Sequence, residues 1–156
     1  MDVIWAPWRY KYISMVDKDD EGCVFCREDE YVVYKGENCS VRLNKFPYNN
    51  GHLLVLPNRH VSDLSDLSEQ EKKELFDLLI RSKDILMDVL SPDGFNVGLN
   101  LGRVAGAGVE HHLHFHIVPR WNGDTNFMPI LSDTKVISQS LMELKRILVD
   151  RFGERE

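Results

Sequence analysis

Apolar and polar positions alternate most clearly in the segment 110–121, where every second residue from 112 to 116 is a histidine. A period of two is typical of a β-strand, on which successive side chains point to opposite faces. His112, His114 and His116 are therefore predicted to share one face, about 6–7 Å apart along the strand. Buried imidazoles need polar partners, so three of them on one face of a core strand indicate a function.

Four other runs of residues have the composition and flanking turn residues of strands. The run that follows His52 is apolar without interruption, which is typical of a strand covered on both faces. Because strands that are neighbours in sequence usually pair, the first three are predicted to form an antiparallel meander. The predicted strands comprise residues 31–34, Cys39–Leu43, 52–57 and 95–101, and the histidine strand follows them.

Apolar residues recur at helical spacing over Glu69–Leu90 and predict an amphipathic helix. Ser68 and Glu71 have the spacing of a capping box at its start, and the sequence Ser-Pro-Asp-Gly at 91–94 ends it. A second helical pattern predicts a C-terminal helix over 131–153.

Residues 1–20 are rich in aromatic side chains and fit neither period. They are interpreted as an arm that packs on the body or on a partner subunit, and stacking of a tryptophan on a nucleobase is the alternative. The chain shows no repeat and no interdomain linker, so residues 1–156 are predicted to form one domain.

The formal net charge of the chain is −6, which argues against binding to nucleic acid, because that requires a basic face. A nucleotide is compatible with this charge, since local donors are enough to hold a small anion. The sequence shows neither a signal-peptide pattern nor an apolar stretch long enough to cross a membrane. A cytoplasmic protein without a membrane partner is therefore expected.

The three cysteines are an odd number, and two of them form the motif Cys23-x-x-Cys26. This spacing indicates a metal or thiol site in an intracellular protein, not a disulfide scaffold. Cys39, at the start of a predicted strand, is interpreted as a small apolar residue. A closed tetrahedral zinc site needs two ligands besides the paired cysteines. The alternative is a pair of reduced thiols without metal. The remaining ligand candidates are Cys39, His52, His60, His111 and His112.

A loop of small residues, 102–108, directly precedes the histidines. Small residues let backbone N–H groups approach an anion closely. Histidines beside such a loop fit two chemistries. They could bind one metal ion together, as His-x-His pairs on strands often do. Alternatively, one neutral imidazole attacks a phosphorus atom and forms a covalent phosphoramidate, while donors and a proton come from its neighbours.

The sequence His-Leu-His-Phe-His-Ile-Val at 112–118 resembles the signature of the histidine triad family of nucleotide hydrolases and transferases. The segment 51–60, Gly-His-Leu-Leu-Val-Leu-Pro-Asn-Arg-His, resembles a strand motif of the same family. Segments 4–9, 23–26 and 119–127 resemble the branch that contains diadenosine tetraphosphate phosphorylases. Together these motifs extend from about Trp5 to Pro129.

This resemblance implies an α+β domain with a five-stranded antiparallel sheet and a long packed helix, usually assembled as a homodimer. His114, the middle histidine, then corresponds to the nucleophile that attacks the α-phosphate. His116 corresponds to a histidine that contacts the phosphate and assists the leaving group. Asn44 falls where the family contacts a ribose hydroxyl, and Asn100 where it contacts a phosphate.

The glycine loop departs from the family pattern. Many members carry Gln followed by Ser or Thr where this chain has Gly108 and Val109. Backbone N–H groups of the Gly106 to Gly108 turn are expected to replace those side-chain contacts with phosphate. Arg103, inside the loop, is the best placed of five cations that could neutralise a polyphosphate. The other four are Arg42, Lys45, Arg59 and Arg120.

Zinc-binding members of the superfamily close the metal site with the histidine after the Pro-x-x sequence and with the first triad histidine. The resemblance therefore implies a structural zinc ion bound by Cys23, Cys26, His60 and His112. His112 would then serve the metal, leaving His114 to attack and His116 to act as a polar partner. His52 is interpreted as structural, and His111 as exposed.

The predicted function is cleavage of a dinucleoside polyphosphate at its α-phosphate through a covalent nucleotidyl-His114 intermediate, with phosphate or water as the acceptor. One alternative within the same chemistry is hydrolysis of a nucleoside phosphoramidate or an aminoacyl-adenylate. Another is a nucleotide sensor without turnover, and a third is a metalloenzyme that uses all three histidines.

Overall fold

The computed structural model describes residues 22–124 and 137–154. The predicted aromatic arm and residues 131–136 of the predicted second helix lie outside these ranges. Within them, no helix is both long enough and apolar enough to cross a membrane.

Five antiparallel strands form one sheet in the order β1-β2-β3-β5-β4. The predicted meander of the first three strands is thus confirmed. Although β5 is last in sequence, it lies between β3 and β4, so the strand that carries His116 runs through the interior of the sheet. The strands are β1 (Val32–Lys35), β2 (Cys39–Leu43), β3 (Leu53–Pro57), β4 (Gly94–Leu99) and β5 (Phe115–Arg120).

The long helix α1 spans Glu69–Leu90, as its apolar period predicts. Its start is a complete capping box: the Ser68 hydroxyl accepts from the N–H of Glu71, and the Glu71 carboxylate accepts from the N–H of Ser68. It ends at Ser91, which adopts a left-handed conformation with φ of 47°. The helix packs on β2, β3 and β5 through a buried apolar stripe. Its buried apolar residues are Leu75, Leu78, Leu79, Ile85 and Leu86.

The second helix, α2, spans Leu141–Gly153 and packs on β1 and α1. Its pattern predicts a start at residue 131, whereas the described residues 137–140 precede the helix and Ser140 is its extended N-cap. Serine has a lower helix propensity than alanine or leucine and favours cap positions, which agrees with the extended conformation of Ser140, although its side chain makes no capping hydrogen bond. The predicted α+β class, with a five-stranded antiparallel sheet and two helices, is confirmed.

Candidate active site

The histidine segment is a strand only in its second half. His116 lies in β5, whereas His112 and His114 precede the strand. The N–H of Leu113 donates to the carbonyl of Val61, 2.6 Å away in the loop after β3. The strand is therefore shorter than its period of two predicts, because the chain here bonds to a loop and not to β3. Each of the three histidines consequently has different partners.

His114 is buried, with 6% of its surface exposed. Its Nδ1 lies 2.8 Å from the carbonyl oxygen of His112, which can only accept, so Nδ1 carries the proton and Nε2 keeps its lone pair. Burial lowers the pKa of His114 below the ordinary histidine value, and the hydrogen bond to the carbonyl opposes this shift only in part. A neutral ring held in this tautomer can act as a nucleophile at Nε2.

His116 is held in the opposite tautomer. The N–H of Tyr48 donates to Nδ1 of His52 over 3.0 Å, so the neutral His52 ring carries its proton on Nε2. That Nε2 lies 2.9 Å from Nδ1 of His116 and donates to it. The proton of a neutral His116 is then on Nε2. The ring centroids of His114 and His116 are 5.0 Å apart, so a lone pair and a proton are available to one bound group.

Cys23, Cys26, His60 and His112 form a cluster whose four ligand atoms all lie within 4.8 Å of one another. The sulfur of Cys23 is 3.3 Å from Nδ1 of His112, and that of Cys26 is 3.3 Å from Nδ1 of His60. Zinc bonds of about 2.0–2.3 Å give a tetrahedron with edges of about 3.3–3.8 Å, which the two sulfur–nitrogen separations match.

A second contact fixes the tautomer of His112 for this role. Its Nε2 lies 2.9 Å from the carbonyl oxygen of Pro57, so Nε2 carries the proton and the Nδ1 lone pair points to the cysteines. Burial also lowers the pKa of His112, which favours the neutral ring that a metal requires. The cluster can therefore bind a metal ion, and His112 belongs to it.

Arg42 of β2 holds the segment 23–29 against the sheet. Its side chain is buried, donates to the carbonyl oxygens of Phe25 and Arg27 over 3.2 Å each, and pairs with Asp29. Arg42, one of the five cations that could neutralise a polyphosphate, thus uses its guanidinium to hold this segment on the sheet.

The other cations also have partners within the fold. Arg59 binds both carboxylate oxygens of Glu71. Arg120 binds Asp124 and Asn96. The ammonium of Lys45 lies over the rings of Tyr31 and Phe46, 5.9 Å from each centroid. Arg103 lies in an exposed 3₁₀ turn, Arg103–Ala105, within the glycine loop.

The residues predicted to contact nucleotide fall in two groups. Asn44 is buried, and its amide nitrogen lies 3.3 Å from Nδ1 of His52, on the side of the site formed by the loop after β2. On the opposite side, the amide of Asn100 donates to the carbonyl of Gly106. The N–H groups of Gly106 and Ala107 donate to the carbonyls of Arg103 and Gly102 within the loop. Their contacts with nucleotide stay predictions.

Three residues of the site were not identified by sequence reasoning. His52, interpreted as a structural histidine, donates to His116. Tyr48 is 38% exposed, and its ring stacks on that of His116 with an interplanar angle of 17°. Phe25 packs its ring against His114. For His52, the sequence did contain a signal. On the predicted strand 52–57, alternation places His52 on the same sheet face as Leu54, and Leu54 pairs with His116.

Comparison with known proteins agrees with this geometry. Residues 27–123 match the HIT domain family. The chain is 38% identical to the AP-4-A phosphorylase of Mycobacterium tuberculosis, over 97% of this chain and 85% of that protein. A histidine triad nucleotide-binding protein from Sulfolobus tokodaii strain 7 superposes with a TM-score of 0.69 at 29% identity, covering 85% of this chain and 93% of that one.

A Zn-bound histidine triad family protein from Mycobacterium smegmatis also superposes, with a TM-score of 0.64 at 25% identity, covering 93% of this chain and 94% of that one. The family match, the sequence relative and the histidine arrangement all lead to the same conclusion, which the sequence motifs predict: the chain belongs to the HIT domain family.

Proposed function

We propose that this protein cleaves dinucleoside polyphosphates of the diadenosine tetraphosphate type at the α-phosphate, and that inorganic phosphate or water accepts the nucleotidyl group. The observation that carries the proposal is that the two neighbouring rings are held in opposite tautomers. Nε2 of His114 has a lone pair, and Nε2 of His116 carries a proton. The 38% identity to an AP-4-A phosphorylase over nearly the whole chain supports this substrate class.

The reaction has two displacements at phosphorus. In the first, Nε2 of His114 bonds to the α-phosphorus, the bond to the bridging oxygen breaks, and that oxygen leaves as a phosphate anion that accepts a hydrogen bond from Nε2 of His116. In the second, an oxygen of phosphate or water bonds to the phosphorus, the bond to His114 breaks and returns its electron pair to Nε2, and the proton that the acceptor loses passes to the released phosphate or to solvent. The hydrogen bond from His114 Nδ1 to the carbonyl of His112 helps to stabilise the positive ring of the intermediate.

Incubation with diadenosine tetraphosphate, with and without phosphate, tests the reaction. ADP with ATP only when phosphate is present means phosphorolysis, AMP with ATP means asymmetric hydrolysis, and two ADP means symmetric cleavage. His114→Ala should abolish turnover and leave nucleotide binding largely intact. Undiminished turnover in this variant would exclude His114 as the nucleophile. Wild-type binding without turnover would favour a sensor, and turnover of phosphoramidates or adenylates alone would favour the hydrolase alternative.

We further propose that the Cys23, Cys26, His60 and His112 cluster holds zinc in a structural role. Two thiolates and two imidazoles are the donor set that zinc prefers, and the distances fit. Metal analysis of protein purified without a histidine tag should find about one equivalent of zinc. Less than about a tenth of an equivalent would refute this assignment.

A homodimer, which the family resemblance implies, fits an exposed apolar face. Phe76, Ile80 and Met87 follow one another at helical spacing on α1 and are 64%, 55% and 42% exposed. Val97 of the edge strand β4, 55% exposed, lies on the same sheet face as α1, because its partner Ile117 is in the core. We propose that two copies meet here, with the open edges of β4 pairing antiparallel.

Light scattering of the wild type and of Ile80→Lys tests this contact. The wild type should have the mass of a dimer and Ile80→Lys that of a monomer. Val149→Lys, which charges an exposed residue of α2, should stay dimeric. A monomeric wild type, or an Ile80→Lys variant that remains dimeric, would refute the proposed interface. The cytoplasmic location stays a prediction.

A further inference from the structure

The segment between the two cysteines places an aromatic ring on the active-site histidines. The Phe25 ring meets the His114 ring at a centroid distance of 5.0 Å and an angle of 61°. It also meets the His112 ring edge-on, at 5.7 Å. Phe25 is therefore in contact both with the proposed nucleophile and with a residue of the metal cluster.

The Phe25 ring is itself held from two directions. Cys23 and Cys26 flank it in sequence and belong to the metal cluster. On the other side, the guanidinium of Arg42 lies 5.4 Å from the ring centroid, and its Nη1 donates to the Phe25 carbonyl. The ring position thus depends on the folding of the cysteine segment onto β2.

The orientation of the His114 ring is not fixed by its hydrogen bond alone. Its hydrogen bond to the His112 carbonyl selects the tautomer, but the terminal torsion of a histidine side chain is soft and allows the ring to rock. A small misplacement of an attacking atom can lower the rate of a reaction by about 100-fold. A ring packed against the imidazole restricts that motion, since aromatic pairs have preferred geometries.

We propose that Phe25 is a positioning residue that couples the metal cluster to the nucleophile, by keeping the His114 ring oriented with Nε2 toward the α-phosphorus. The cluster and Arg42 hold the cysteine segment, and that segment holds Phe25. The inference rests on the proposed function, in which His114 attacks. It gives the metal cluster an influence on turnover without any contact between metal and substrate.

The first test compares Phe25→Ala and Phe25→Leu with Val24→Ala. Val24 is the matched control, because it lies between the same two cysteines and its side chain is 36% exposed. With full metal content, Phe25→Ala should lower kcat about tenfold or more with KM within about twofold, since ring orientation affects the chemical step. Phe25→Leu should be intermediate, and Val24→Ala should resemble the wild type.

The second test needs no turnover. It records the ring nitrogen resonances of ¹⁵N-labelled histidines by NMR. The His114 signal is assigned as the one that is lost in His114→Asn. It should be a single sharp signal of an Nδ1-protonated ring in the wild type and in Val24→Ala. Phe25→Ala should broaden or shift that signal. Removal of metal by a chelator should change the wild-type signal in the same way and have little further effect in Phe25→Ala.

Four results would overturn the proposal. The first is a raised KM with unchanged kcat in Phe25→Ala, which would make Phe25 a substrate contact. The second is an equal loss in Val24→Ala. The third is loss of metal from both Phe25 variants in proportion to activity, which would assign Phe25 to metal retention. The fourth is an unchanged His114 signal in Phe25→Ala. If the wild type fails to cleave dinucleoside polyphosphates, the proposed function fails, but the His114 signal still decides whether Phe25 orients the ring.

Discussion

At the scale of single residues, one neighbouring atom decides what each histidine can do. His114 and His116 are two positions apart, yet Nδ1 of His114 faces a carbonyl acceptor and Nδ1 of His116 faces an imidazole donor. The first contact leaves a lone pair on Nε2, and the second leaves a proton there. A proposed nucleophile and a proposed hydrogen-bond donor to the leaving group thus arise from the same residue type.

His52 is expected to keep the proton of His116 on Nε2, where it can donate a hydrogen bond to the leaving group. His52→Leu removes the donor to His116, so kcat with diadenosine tetraphosphate should fall by about tenfold or more. His52→Gln should recover part of this loss. The glutamine side-chain amide can accept from the backbone N–H of Tyr48 through its oxygen and donate to His116 through its nitrogen. Thermal unfolding of both variants separates this effect from instability, and a kcat of His52→Leu within about twofold of the wild type would refute it.

Gly51 is required by the backbone beside the site. Its φ is 75°, and an added Cβ would lie 2.5 Å from Cδ1 of Leu90. Gly51→Ala should therefore lower the free energy of unfolding by roughly 2–4 kcal/mol in urea denaturation. Gly94→Ala is the control, since a Cβ there meets nothing within 4 Å and it should change stability by less than about 1 kcal/mol. Equal effects of the two substitutions would contradict this explanation.

At the scale of elements, the start of α1 is bonded to the residue next to His60, a proposed metal ligand. The Glu71 carboxylate completes the capping box and also binds the guanidinium of Arg59, which adjoins His60. This hydrogen bond from Arg59 is the main reason that the pKa of Glu71 falls to about 2. The helix start and the loop after β3 are therefore joined through one carboxylate.

This coupling predicts an acid-dependent loss of stability. Because the pKa of Glu71 is lower in the folded state, its contribution is complete above the unfolded value of about 4.3 and is lost as the pH falls toward 2. Glu71→Gln should lower the free energy of unfolding at pH 7, because the carboxylate charge that binds Arg59 is lost. The loss should be only about 1–2 kcal/mol, since solvent partly screens the exposed guanidinium of Arg59.

The difference between Glu71→Gln and the wild type should shrink steadily in denaturation experiments between about pH 5 and pH 2. Glu69→Gln is the matched control in the same helical turn, because its pairing with Lys72 is exposed. A difference that stays constant with pH would show that Glu71 acts by its shape and not by its charge.

At the scale of the whole molecule, the metal cluster joins three segments that are far apart in sequence. It connects the cysteine segment, the loop after β3 and the chain that enters β5, with sequence separations of up to 89 residues. Such long-range links restrict the unfolded chain strongly, so metal binding should contribute to folding.

Thiol labelling tests this organisation. With metal bound, no cysteine of the native protein should react with a thiol reagent, because Cys23 and Cys26 are the proposed ligands and burial raises the pKa of Cys39 to about 12. After chelation, Cys23 and Cys26 should react, and Cys39 should follow only in denaturant. Mass spectrometry identifies the labelled residues. Rapid labelling of Cys23 and Cys26 in metal-loaded protein would contradict the assigned ligands.

The amino-acid sequence by itself determined the elements and the motifs. The helix Glu69–Leu90 and the strand Cys39–Leu43 were predictable because side-chain period, caps and turn residues are local properties. The paired cysteines and the three histidines carried the resemblance to the histidine triad family. Their spacing is a property of the chain that needs no tertiary contact.

Only the tertiary structure decided which atom each side chain faces. The pairing of β3 with β5 brings His52 to His116, 64 residues away, and the return of the cysteine segment onto β2 brings Phe25 to His114. The short β5 likewise depends on a hydrogen bond to a distant loop, from the N–H of Leu113 to the carbonyl of Val61. Tautomer and ring orientation follow from contacts between residues far apart in sequence, and a local pattern carries no information about them.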